Sequence, residues 1–375
     1  MKEAKMAIQN NLAQLRQKRG FTAIKLAKEI DVSRQTIYAM EAGTYVPNTM
    51  VALKLAQVLE VQVEDLFRLE NAELPTHTEA VELLPSEQEA QPGLPVQLCD
   101  VDNRLVAVLP APIAWSLPPA DAVLVEAGKR KGKGKAQLFQ EEKRFRRRLL
   151  IAGCDPGISV LLRHLQREGV EAVAAYRNSS QSLSLLKQSF IHIAGSHLRD
   201  EATGESNLPA VRKKFPRGSV AVISYAIWEE GIVLARGNPK GIKRIEDLAR
   251  KNVTIVNREP GSGSRLLLDS HLQRAGVAPR AVKGYQNIAS GHLPAAWQVK
   301  SGQVDCCMAT KTAACVFGLD FISLESERYD LVMHEHNLNH PSVQILLDTL
   351  GRAAFRRELE GLGGYDTRIA GDRLV

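Results

Sequence analysis

The sequence predicts a multidomain protein with an all-α N-terminal bundle, a small β-rich connector and a two-lobed α/β domain. Three observations predict it: apolar residues at helical spacing near the N-terminus, an acidic, proline-containing stretch after them, and alternating strand and helix patterns from residue 149 onward. A chain of 375 residues is long enough for two or three domains. We expect the bundle over residues 8–69, a linker over 70–94, the connector over 95–148 and the α/β domain over 149–365.

The N-terminal bundle has the pattern of a helix-turn-helix. Its apolar residues recur at helical spacing in four runs: Leu12 and Leu15; Ile24, Leu26, Ala27 and Ile30; Ile37 and Met40; Leu53, Leu55, Ala56 and Leu59. Gly20 and Gly43 fall where helices end, and Thr22 and Ser33 can cap the helices that follow them. Two short helices joined by a tight turn present the start of the second helix to the major groove of DNA.

The second of these helices begins with side chains that can distinguish bases. Arginine can bond two acceptors on guanine, and glutamine can pair with a donor and an acceptor on adenine, so Arg34 and Gln35 are expected to contact base edges. The alternative is a generic helical bundle with a solvated polar face, but the spacing, the caps and the helix start all agree with DNA reading. The predicted DNA-binding residues are Thr22, Lys25, Ser33, Arg34, Gln35, Thr36 and Tyr38.

The same segment resembles the XRE (lambda-repressor/Cro-like) helix-turn-helix family along nearly its whole length. The matching features are LAKEIDVSRQTIYAMEAG, the following Pro-Asn pair and the closing VEDLF. The resemblance implies that Arg34 and Gln35 face base edges and that Thr36 and Tyr38 face bases or phosphate. The family often has a phosphate-contacting glutamine directly after the capping residue of the first of these two helices, and this chain has Ala23 there. The candidates for phosphate anchoring are therefore Lys25, Arg16 and Lys18.

Bulk properties are those of an ordinary globular protein, with 44% hydrophobic and 24% charged residues and a formal net charge of +7. No apolar run is long enough to cross a bilayer, and the N-terminal MKEAKMAIQNN has no signal-peptide core, so we expect a cytoplasmic protein without membrane contact. The five cysteines have no paired spacing, which favours a reducing compartment. The adjacent Cys306 and Cys307 are interpreted as buried thiols, because neighbouring cysteines do not clamp a metal as CxxC does.

Positive charge is concentrated in residues 129–148, which hold ten Lys/Arg against two Asp/Glu. Two interpretations stay open. The run could add DNA affinity through counterion release, without sequence preference. Alternatively, KRKGKGK is a solvated hairpin tip and KRFRRR leads into a buried strand.

The middle of the chain predicts a linker followed by strands. Residues 73–95 are acidic and contain four prolines, which is linker composition. Beyond them, VQLCDV and RLVAVL flank Asp102-Asn103, two residue types that tolerate positive φ, so a β-hairpin is expected. AVLVEA at 122–127 and AQLFQ at 136–140 could add strands, and we assign this stretch no chemistry beyond a connector or a dimer contact.

From residue 149 onward, strands alternate with helices. The strand patterns are LLIAG, EAVAAY, FIHIAG, VTIV, a short one near KGY, and VDCCMA, and helical patterns follow them. Alternation of this kind implies parallel strands with crossover helices. The segment is too long for one small layer, so we expect two lobes, with residues 219–236 crossing between them.

Small polar residues follow several of these strands. Ligands of open α/β sheets lie beyond the carboxyl ends of the strands, where helix N-termini present free N–H groups. Glycine and serine there can form an anion-binding nest that needs no lysine, although a plain helix cap is the alternative for any single one. The PGSGSR turn lacks the Gly-Lys-Ser/Thr of a P-loop, which disfavours nucleotide hydrolysis. The predicted ligand-binding residues are Asp155, Asn178, Ser179, Ser180, His197, Gly261, Ser262, Gly263, Ser264 and Arg265.

Residues 149–365 carry a second resemblance, to the periplasmic-binding-protein-like domain that is found fused to helix-turn-helix modules and beside molybdopterin-biosynthesis domains. The motifs are GCDPGI, NSSQSLSLL, IHIAGSHLRDEATGESN, VNREPGSGSRLLLD and LDFISLESERYDLV. The resemblance implies a two-lobed cleft and suggests molybdate or tungstate as the ligand. Arg258 and Arg265 could favour an anion, or either could brace the helix start against Glu259.

Catalysis and metal binding are not predicted. His334 and His336 would share one face of a strand, with His340 nearby, but the spacing is not HExxH and no third ligand is evident. Asp155 and His197 could act as acid and base, yet no pairing demands it. We therefore expect no enzyme, no metal site and no cofactor beyond a small effector.

The sequence favours a one-component transcription regulator. A small effector would close the two-lobed domain, and closure would change how a homodimer grips a double-stranded operator with inverted repeats. The alternative is an enzyme or carrier of molybdenum-cofactor metabolism whose DNA module only recruits it. A third possibility is a DNA-tethered structural protein with a vestigial cleft.

Overall fold

A computed structural model describes residues 8–69, 78–86, 88–110, 119–128, 132–139, 145, 147–200 and 203–375. The chain divides into two units, Met1–His77 and Thr78–Val375. The helices of the first unit are α1 Leu12–Lys18, α2 Ala23–Glu29, α3 Arg34–Glu41, α4 Thr49–Leu59 and α5 Val63–Leu66. Two short strands, β1 Ile8–Asn10 and β2 Phe67–Leu69, pair antiparallel and join the two ends of this unit.

The core of the first unit follows the predicted helical spacing with two exceptions. Leu26, Ile37 and Leu55 are fully buried together with Leu12, Ile30, Met40 and Leu59. Ile24 and Leu53, which the spacing placed in the core, are 60% and 54% exposed. Both precede a buried residue by two positions, and a helix rotates by about 200° over two residues, so they point away from the core.

A closed five-stranded barrel opens the second unit. Its strands are β3 Thr78–Leu83, β4 Pro95–Val101, β5 Arg104–Val108, β6 Ala122–Ala127 and β7 Lys133–Leu138, in the order β3-β5-β4-β6-β7. The predicted hairpin is present between β4 and β5, with Asp102 and Asn103 at φ 50° and 61°. The linker predicted over 70–94 is wrong at β3. Val81 and Leu83 point into the barrel core, and the half-buried glutamates of the strand hid its signal in the sequence.

The basic run divides between a hairpin and a buried anchor. Strands β6 and β7 pair antiparallel around the predicted tip, whose residues 129–131 lie outside the described part of the chain, as do 140–144 and 146. Arg148 is buried and donates to the carbonyl oxygen of Leu98 and to the carboxylates of Asp121 and Glu171. It therefore fastens the barrel to the α/β domain and is not free for DNA.

A nine-stranded sheet organises the rest of the second unit. Its strands are β8 Leu149–Gly153, β9 Ala172–Tyr176, β10 Ile193–Ser196, β11 Val220–Leu234, β12 Ile255–Arg258, β13 Ile288–Ala289, β14 Cys306–Thr310, β15 Asp320–His334 and β16 Tyr365–Asp366. The order is β13-β12-β14-β11-β15-β10-β8-β9, and β16 pairs with β11. The helices are α6 Ile158–Arg167, α7 Ser179–Lys187, α8 Leu208–Lys214, α9 Gly263–Arg274, α10 His292–Lys300, α11 Lys311–Phe317, α12 Pro341–Gly351 and α13 Ala353–Gly361. Short 3₁₀ turns cover Ile245–Ala249, Pro279–Ala281 and Glu335–Asn339.

Two long antiparallel strands, β11 and β15, run through both lobes and are called here the crossing strands. Their register extends from Val220 opposite His334 to Leu234 opposite Asp320. Lobe 1 packs around β8, β9 and β10, and lobe 2 packs around β12, β13 and β14. The sequence anticipated the first crossing strand as residues 219–236, but not the second. Residues after the predicted boundary at 365 also join lobe 1, since Arg373 bridges to Ile223 of β11.

Candidate functional site

Turns from both lobes meet in one place, which we call the inter-lobe cleft. Lobe 1 contributes Asp155 after β8, Asn178 after β9 and His197 after β10. From lobe 2, the PGSGS turn after β12 faces them: the Nδ2 of Asn178 donates to the carbonyl oxygen of Pro260 at 3.4 Å. A Cβ added to Gly263 would lie 2.4 Å from the His197 ring, so only glycine allows this close approach. The two lobes are in direct contact.

The predicted ligand-binding residues are brought together with one exception. Buried in or beside the cleft are Asp155, Asn178, Ser179, His197, Ser262, Gly263 and Ser264, with Ser180 and Gly261 half-buried. Arg265 instead places its guanidinium 4.8 Å over the Tyr285 ring and donates to the carbonyl oxygen of Arg258 at 3.2 Å. Both contacts lie within lobe 2, so Arg265 braces the start of α9 and is not brought to the facing lobe.

Three of the predicted hydroxyl and amide side chains already accept hydrogen bonds from the backbone, two of them as helix caps. The Oδ1 of Asn178 accepts from the backbone of Gln181 at 3.0 Å, and the Oγ of Ser262 accepts from the backbone of Arg265 at 3.3 Å. The Oγ of Ser179 accepts from the backbone N–H of His197 at 3.1 Å. The nest therefore offers fewer free backbone N–H donors than the sequence suggested, because these side-chain oxygens accept from three of them.

Buried polar atoms without a hydrogen-bond partner nevertheless concentrate at the cleft. Among the described residues they are Asp155 Oδ2, His197 Nε2, both carboxylate oxygens of Glu230, His292 Nε2 and Thr310 Oγ1, with two further atoms elsewhere on His271 and Glu358. A buried polar group that lacks a partner costs about 1–3 kcal/mol. Such a concentration indicates a place where a bound polar species can complete the hydrogen bonding.

Four side chains at the cleft were not predicted from the sequence, and two of them lie on the crossing strands. Glu230 on β11 and Glu327 on β15 are buried, and the Trp228 indole N–H donates to Glu327 at 3.5 Å. The available signal was the acidic pair in the otherwise apolar strand SYAIWEEGIVL. Cys154 and His292 were also missed; one ligand atom of each lies within 4.8 Å of a ring nitrogen of His197.

Burial and neighbouring charges set the protonation of this cluster. Burial, together with the charge of Glu327, raises the pKa of Glu230 to about 8. Burial acts to lower the pKa of His197, but Cys154 and the hydrogen bond to Glu327 outweigh it, so the net pKa lies well above the usual value. Burial would raise the pKa of Glu327, yet His197 keeps it below the usual range. The pKa of Asp155 is raised by burial to about 6, against donation from Tyr365 and the backbone of Gly157.

Arg258 resolves the two alternatives left open for it. Its buried guanidinium donates to Glu259 at 3.0 Å, to the hydroxyl of Tyr176 in the other lobe at 2.7 Å and to the Nδ1 of His292 at 3.0 Å. It therefore braces Glu259 and links the two lobes. A guanidinium only donates, so His292 accepts at Nδ1 and carries its proton at Nε2. Burial and the charge of Arg258 lower the pKa of His292, which keeps the ring neutral.

The mouth of the cleft opens into a larger groove of about 1240 Å³. The barrel contributes Gln97 and Val108 to its wall, lobe 1 contributes Asn178 and Ser180, and lobe 2 contributes Pro260 with residues 290–294. The groove provides space for a molecule larger than an ion next to the buried cluster.

The helix-turn-helix exposes its predicted reading residues. The Ser33 Oγ accepts from the backbone N–H of Thr36 at 3.0 Å and caps α3. Arg34 and Gln35 at the start of that helix are exposed. The Arg34 guanidinium donates to the Tyr38 hydroxyl at 3.0 Å and stacks on its ring, so these two side chains hold each other in the free protein.

The structure reduces the number of residues that can contact DNA phosphates. Arg16 is largely buried and ion-paired with Glu41 at 2.5 Å, so it is not available for DNA. Thr22 caps α2 through the backbone of Lys25 at 3.2 Å, and the Lys25 and Lys18 side chains are exposed.

The three histidines that the sequence offered as a possible metal motif each bond to a different partner. His334 bonds to the carbonyl oxygen of Leu186 at 2.9 Å, and His336 bonds to Asp102 at 3.1 Å. His340 caps α12 through the backbone of Ser342. Cys306 and Cys307 are both buried thiols.

Comparison with known proteins agrees with this division. A family model described as a PBP superfamily domain matches residues 162–351, and one described as a helix-turn-helix matches residues 12–66. The chain is 34% identical over 240 residues to the uncharacterized protein YvgK of Bacillus subtilis (strain 168), which covers 64% of this chain and 77% of the relative. It is 38% identical over 63 residues to the uncharacterized HTH-type transcriptional regulator YgzD of the same organism, covering 17% of this chain and 96% of the relative.

Solved structures show only distant similarity. A putative phosphate ABC transporter substrate-binding protein from Clostridium perfringens aligns with a TM-score of 0.43 and 13% identity over 58% of this chain and 98% of its own. The tungstate ABC transporter from Geobacter sulfurreducens aligns with a TM-score of 0.43 and 14% identity over 57% of this chain and 98% of its own. Similarity this low says nothing about which ligand this chain binds. None of the described helices is both long enough and apolar enough to cross a membrane.

Proposed function

We propose that this chain, which belongs to the PBP superfamily and carries an N-terminal helix-turn-helix domain, is a one-component transcription regulator whose operator binding is controlled by a small ligand held between its two lobes. The coarser assignment, a DNA-binding regulator with a ligand-binding domain, follows from the two family matches and the HTH-type relatives. The control of DNA binding by the ligand is the proposal.

The unpartnered polar atoms at the inter-lobe cleft carry this proposal. Asp155 and His197 belong to lobe 1, Thr310 and His292 belong to lobe 2, and Glu230 lies on a crossing strand. A polar species bound among them would bond to both lobes at once. Its binding would therefore favour the closed arrangement, by as much as its affinity differs between the closed and open states.

A small oxyanion, such as molybdate or tungstate, is one candidate ligand, and a larger metabolite is the other. The N-termini of α7 and α9 approach each other at the cleft mouth, where a Cβ added to Gly261 would lie 3.5 Å from Ser180. Helix N-termini favour anions. The adjoining groove of about 1240 Å³ favours a larger molecule.

On the DNA side, we propose that two copies bind an inverted repeat in the cytoplasm. One small unit buries little DNA surface, and paired half-sites double it. Val46, Met50 and Leu53 are 59%, 64% and 54% exposed, and Met50 and Leu53 lie about one turn apart on α4, so this apolar surface suits a second copy. We expect Leu53→Glu to shift sedimentation toward the monomer while the fold is kept. An unchanged dimer would place the interface elsewhere.

The experiment is operator binding with and without ligand. An operator is first selected from random duplexes with the full chain, and its affinity is then measured with molybdate, tungstate, phosphate, sulfate and host small-molecule extract. Coupling between ligand and operator of about 1–3 kcal/mol, or about 5- to 150-fold in affinity, is expected for the true ligand.

Gly263→Val provides the matched control for lobe closure. The added side chain would overlap the His197 ring, so the closed cleft cannot form. We expect this variant to bind the operator but to lose the response to ligand. If no addition changes the operator affinity of the wild-type chain, ligand control is wrong and the chain is a constitutive DNA-binding protein.

A further inference from the structure

Three metal-ligating side chains converge at the bottom of the inter-lobe cleft, in the part of the molecule where the sequence predicted no metal. One ligand atom from each of His197, Glu230 and Glu327 lies within 4.8 Å of the other two. The side chains of His197 and Glu230 are fully buried, and that of Glu327 is 5% exposed. They come from β10, β11 and β15, so only the folded sheet assembles them.

The spacing around His197 suits a shared ion. Its Nδ1 lies 2.7 Å from the Oε2 of Glu327 and 3.6 Å from the Oε2 of Glu230. Nitrogen and oxygen ligands about 2.0–2.2 Å from one zinc ion in tetrahedral geometry lie about 3.4 Å from each other, which is between these two distances. Small adjustments of the side chains would therefore place all three around one ion.

The charges of the surrounding side chains determine whether this position binds a cation or an anion. In the described part of the chain, no lysine or arginine forms an ion pair with Glu230 or Glu327, and both oxygens of Glu230 lack a hydrogen-bond donor. A divalent cation would displace the protons of His197 and Glu230, and the two carboxylates and neutral imidazole would then carry a charge of −2, which the cation cancels. A molybdate ion would instead bring its two negative charges next to the buried Glu327 carboxylate, which is unfavourable.

A second set of candidate ligands beside it is less suited to metal. Cys154, His197 and His292 also bring one ligand atom each within 4.8 Å. However, the Nδ1 of His292 accepts from Arg258 at 3.0 Å, so its Nε2 carries a proton and has no lone pair for a metal. The guanidinium beside it also opposes a cation. Glu230 and Glu327 have neither obstacle.

We infer that His197, Glu230 and Glu327 form a binding site for one divalent transition-metal ion of the zinc class, held at the base of the inter-lobe cleft. The indole N–H of Trp228, 3.5 Å from Glu327, orients one of the ligands. His197 belongs to lobe 1, and Glu230 pairs with Thr310 of the lobe 2 strand β14, so the ion would join the two lobes and favour their closed arrangement. This inference deepens the proposed function for its regulatory consequence only; metal binding itself does not depend on DNA.

The first test is metal binding by the full chain without DNA. Protein stripped with a chelator is titrated with Zn²⁺ by calorimetry, and bound zinc is counted by elemental analysis after gel filtration. We expect one equivalent at micromolar affinity or tighter. Glu230→Gln and Glu327→Gln, which keep the side-chain volume, should each weaken Zn²⁺ binding by about 10- to 100-fold or more.

Glu229→Gln is the matched control, because Glu229 is the preceding residue on the same strand and pairs with Lys311 at 2.6 Å. It should bind Zn²⁺ like the wild type. Absence of Zn²⁺ binding by the wild type, or equal binding by Glu229→Gln and both cleft variants, would overturn the inference.

Co²⁺ substitution tests the identity of the ligands. Nitrogen and oxygen ligands give visible cobalt bands without a thiolate-to-cobalt charge-transfer band, and this spectrum is expected. A charge-transfer band that disappears in Cys154→Ser would show that the thiol is a ligand and that the assigned set is wrong.

Operator binding is then measured with and without Zn²⁺. Zinc binding that leaves operator affinity unchanged would keep the metal site and reject zinc as the regulatory ligand. An operator response to another ligand without any zinc binding would keep the proposed function and reject the metal site.

Discussion

The DNA-reading helix and the inter-lobe cleft handle their polar groups in opposite ways. Arg34 and Gln35 are exposed to solvent, and the Arg34 guanidinium donates to the Tyr38 hydroxyl in the free protein. Glu230 and Thr310 are buried in the cleft without partners, and the folded protein bears that cost until something binds. The start of α3 therefore needs no further partner before it meets DNA, whereas a polar ligand is expected to stabilise the cleft. This difference is consistent with the function proposed above.

The largest expected effect is the loss of sequence discrimination when Arg34 or Gln35 is replaced. Arg34→Ala and Gln35→Ala should each lose about 1–3 kcal/mol of discrimination between the selected operator and a mutated one. Thermal stability should not change, because both side chains are exposed. Fluorescence anisotropy with the two duplexes measures this, and Lys28→Ala, exposed at the end of α2, is the control. Losses below about 1 kcal/mol in both variants would place base reading elsewhere.

The stability of the second unit should depend on pH through Asp155 in the cleft. Burial raises the pKa of Asp155 to about 6, so the folded state keeps a proton that the unfolded chain releases. An acid whose folded pKa is raised destabilises the fold as pH rises from its ordinary value toward the raised one. Between about pH 4 and pH 7, the metal-free wild type should lose about 2 kcal/mol more than Asp155→Asn.

Urea unfolding followed by tryptophan fluorescence measures this difference. All three tryptophans, at positions 115, 228 and 297, lie after residue 78, so the signal reports on the second unit alone. Parallel pH profiles for the wild type and Asp155→Asn would show that the carboxyl is not held protonated.

Removing one hydroxyl should have opposite signs in the two regions. The Ser33 hydroxyl caps α3, so Ser33→Ala should cost about 1 kcal/mol, seen as faster hydrogen exchange in α3. The Thr310 hydroxyl is buried without a partner, so Thr310→Val should stabilise the metal-free protein by about 1 kcal/mol. Destabilisation by Thr310→Val would mean that its hydroxyl has a partner in solution.

The smallest expected effect separates phosphate anchoring from base reading. Lys25 is exposed beside the cap of α2, and Lys25→Ala should weaken all duplexes alike. The slope of log affinity against log salt should decrease in magnitude by about 1. A loss confined to one sequence would make Lys25 a base-reading residue.

The same contrast explains how much could be predicted from the sequence. The base-reading residues lie within six consecutive positions, Ser33 to Tyr38, at the start of one helix. Caps and spacing were therefore sufficient to locate them. The cleft turns after β8, β9, β10 and β12 could be predicted too, because strand ends of parallel sheets meet at one edge. Their hydroxyls were less predictable, since the choice between capping and ligand binding depends on neighbours that only the fold brings near.

Other features lay beyond local patterns. Glu230 and Glu327 are 97 positions apart in the chain and become neighbours only through the pairing of the crossing strands. Strand β3 pairs with β5 and β7 across the barrel, and its alternation was obscured by prolines and acidic residues on both sides. Ile24 and Leu53 are apolar residues on exposed faces, a pattern that spacing alone assigns to the core.

Arg148 has a mechanical consequence for the second unit. Its guanidinium joins Leu98 and Asp121, on the barrel side, to Glu171 just before β9. Barrel and lobe 1 should therefore travel as one rigid body, with lobe 2 as the part that swings on β11 and β15. If a ligand in the cleft displaces lobe 2, the groove between the barrel and residues 290–294 should change in width. Lobe 2 would then be the one part of the second unit that moves.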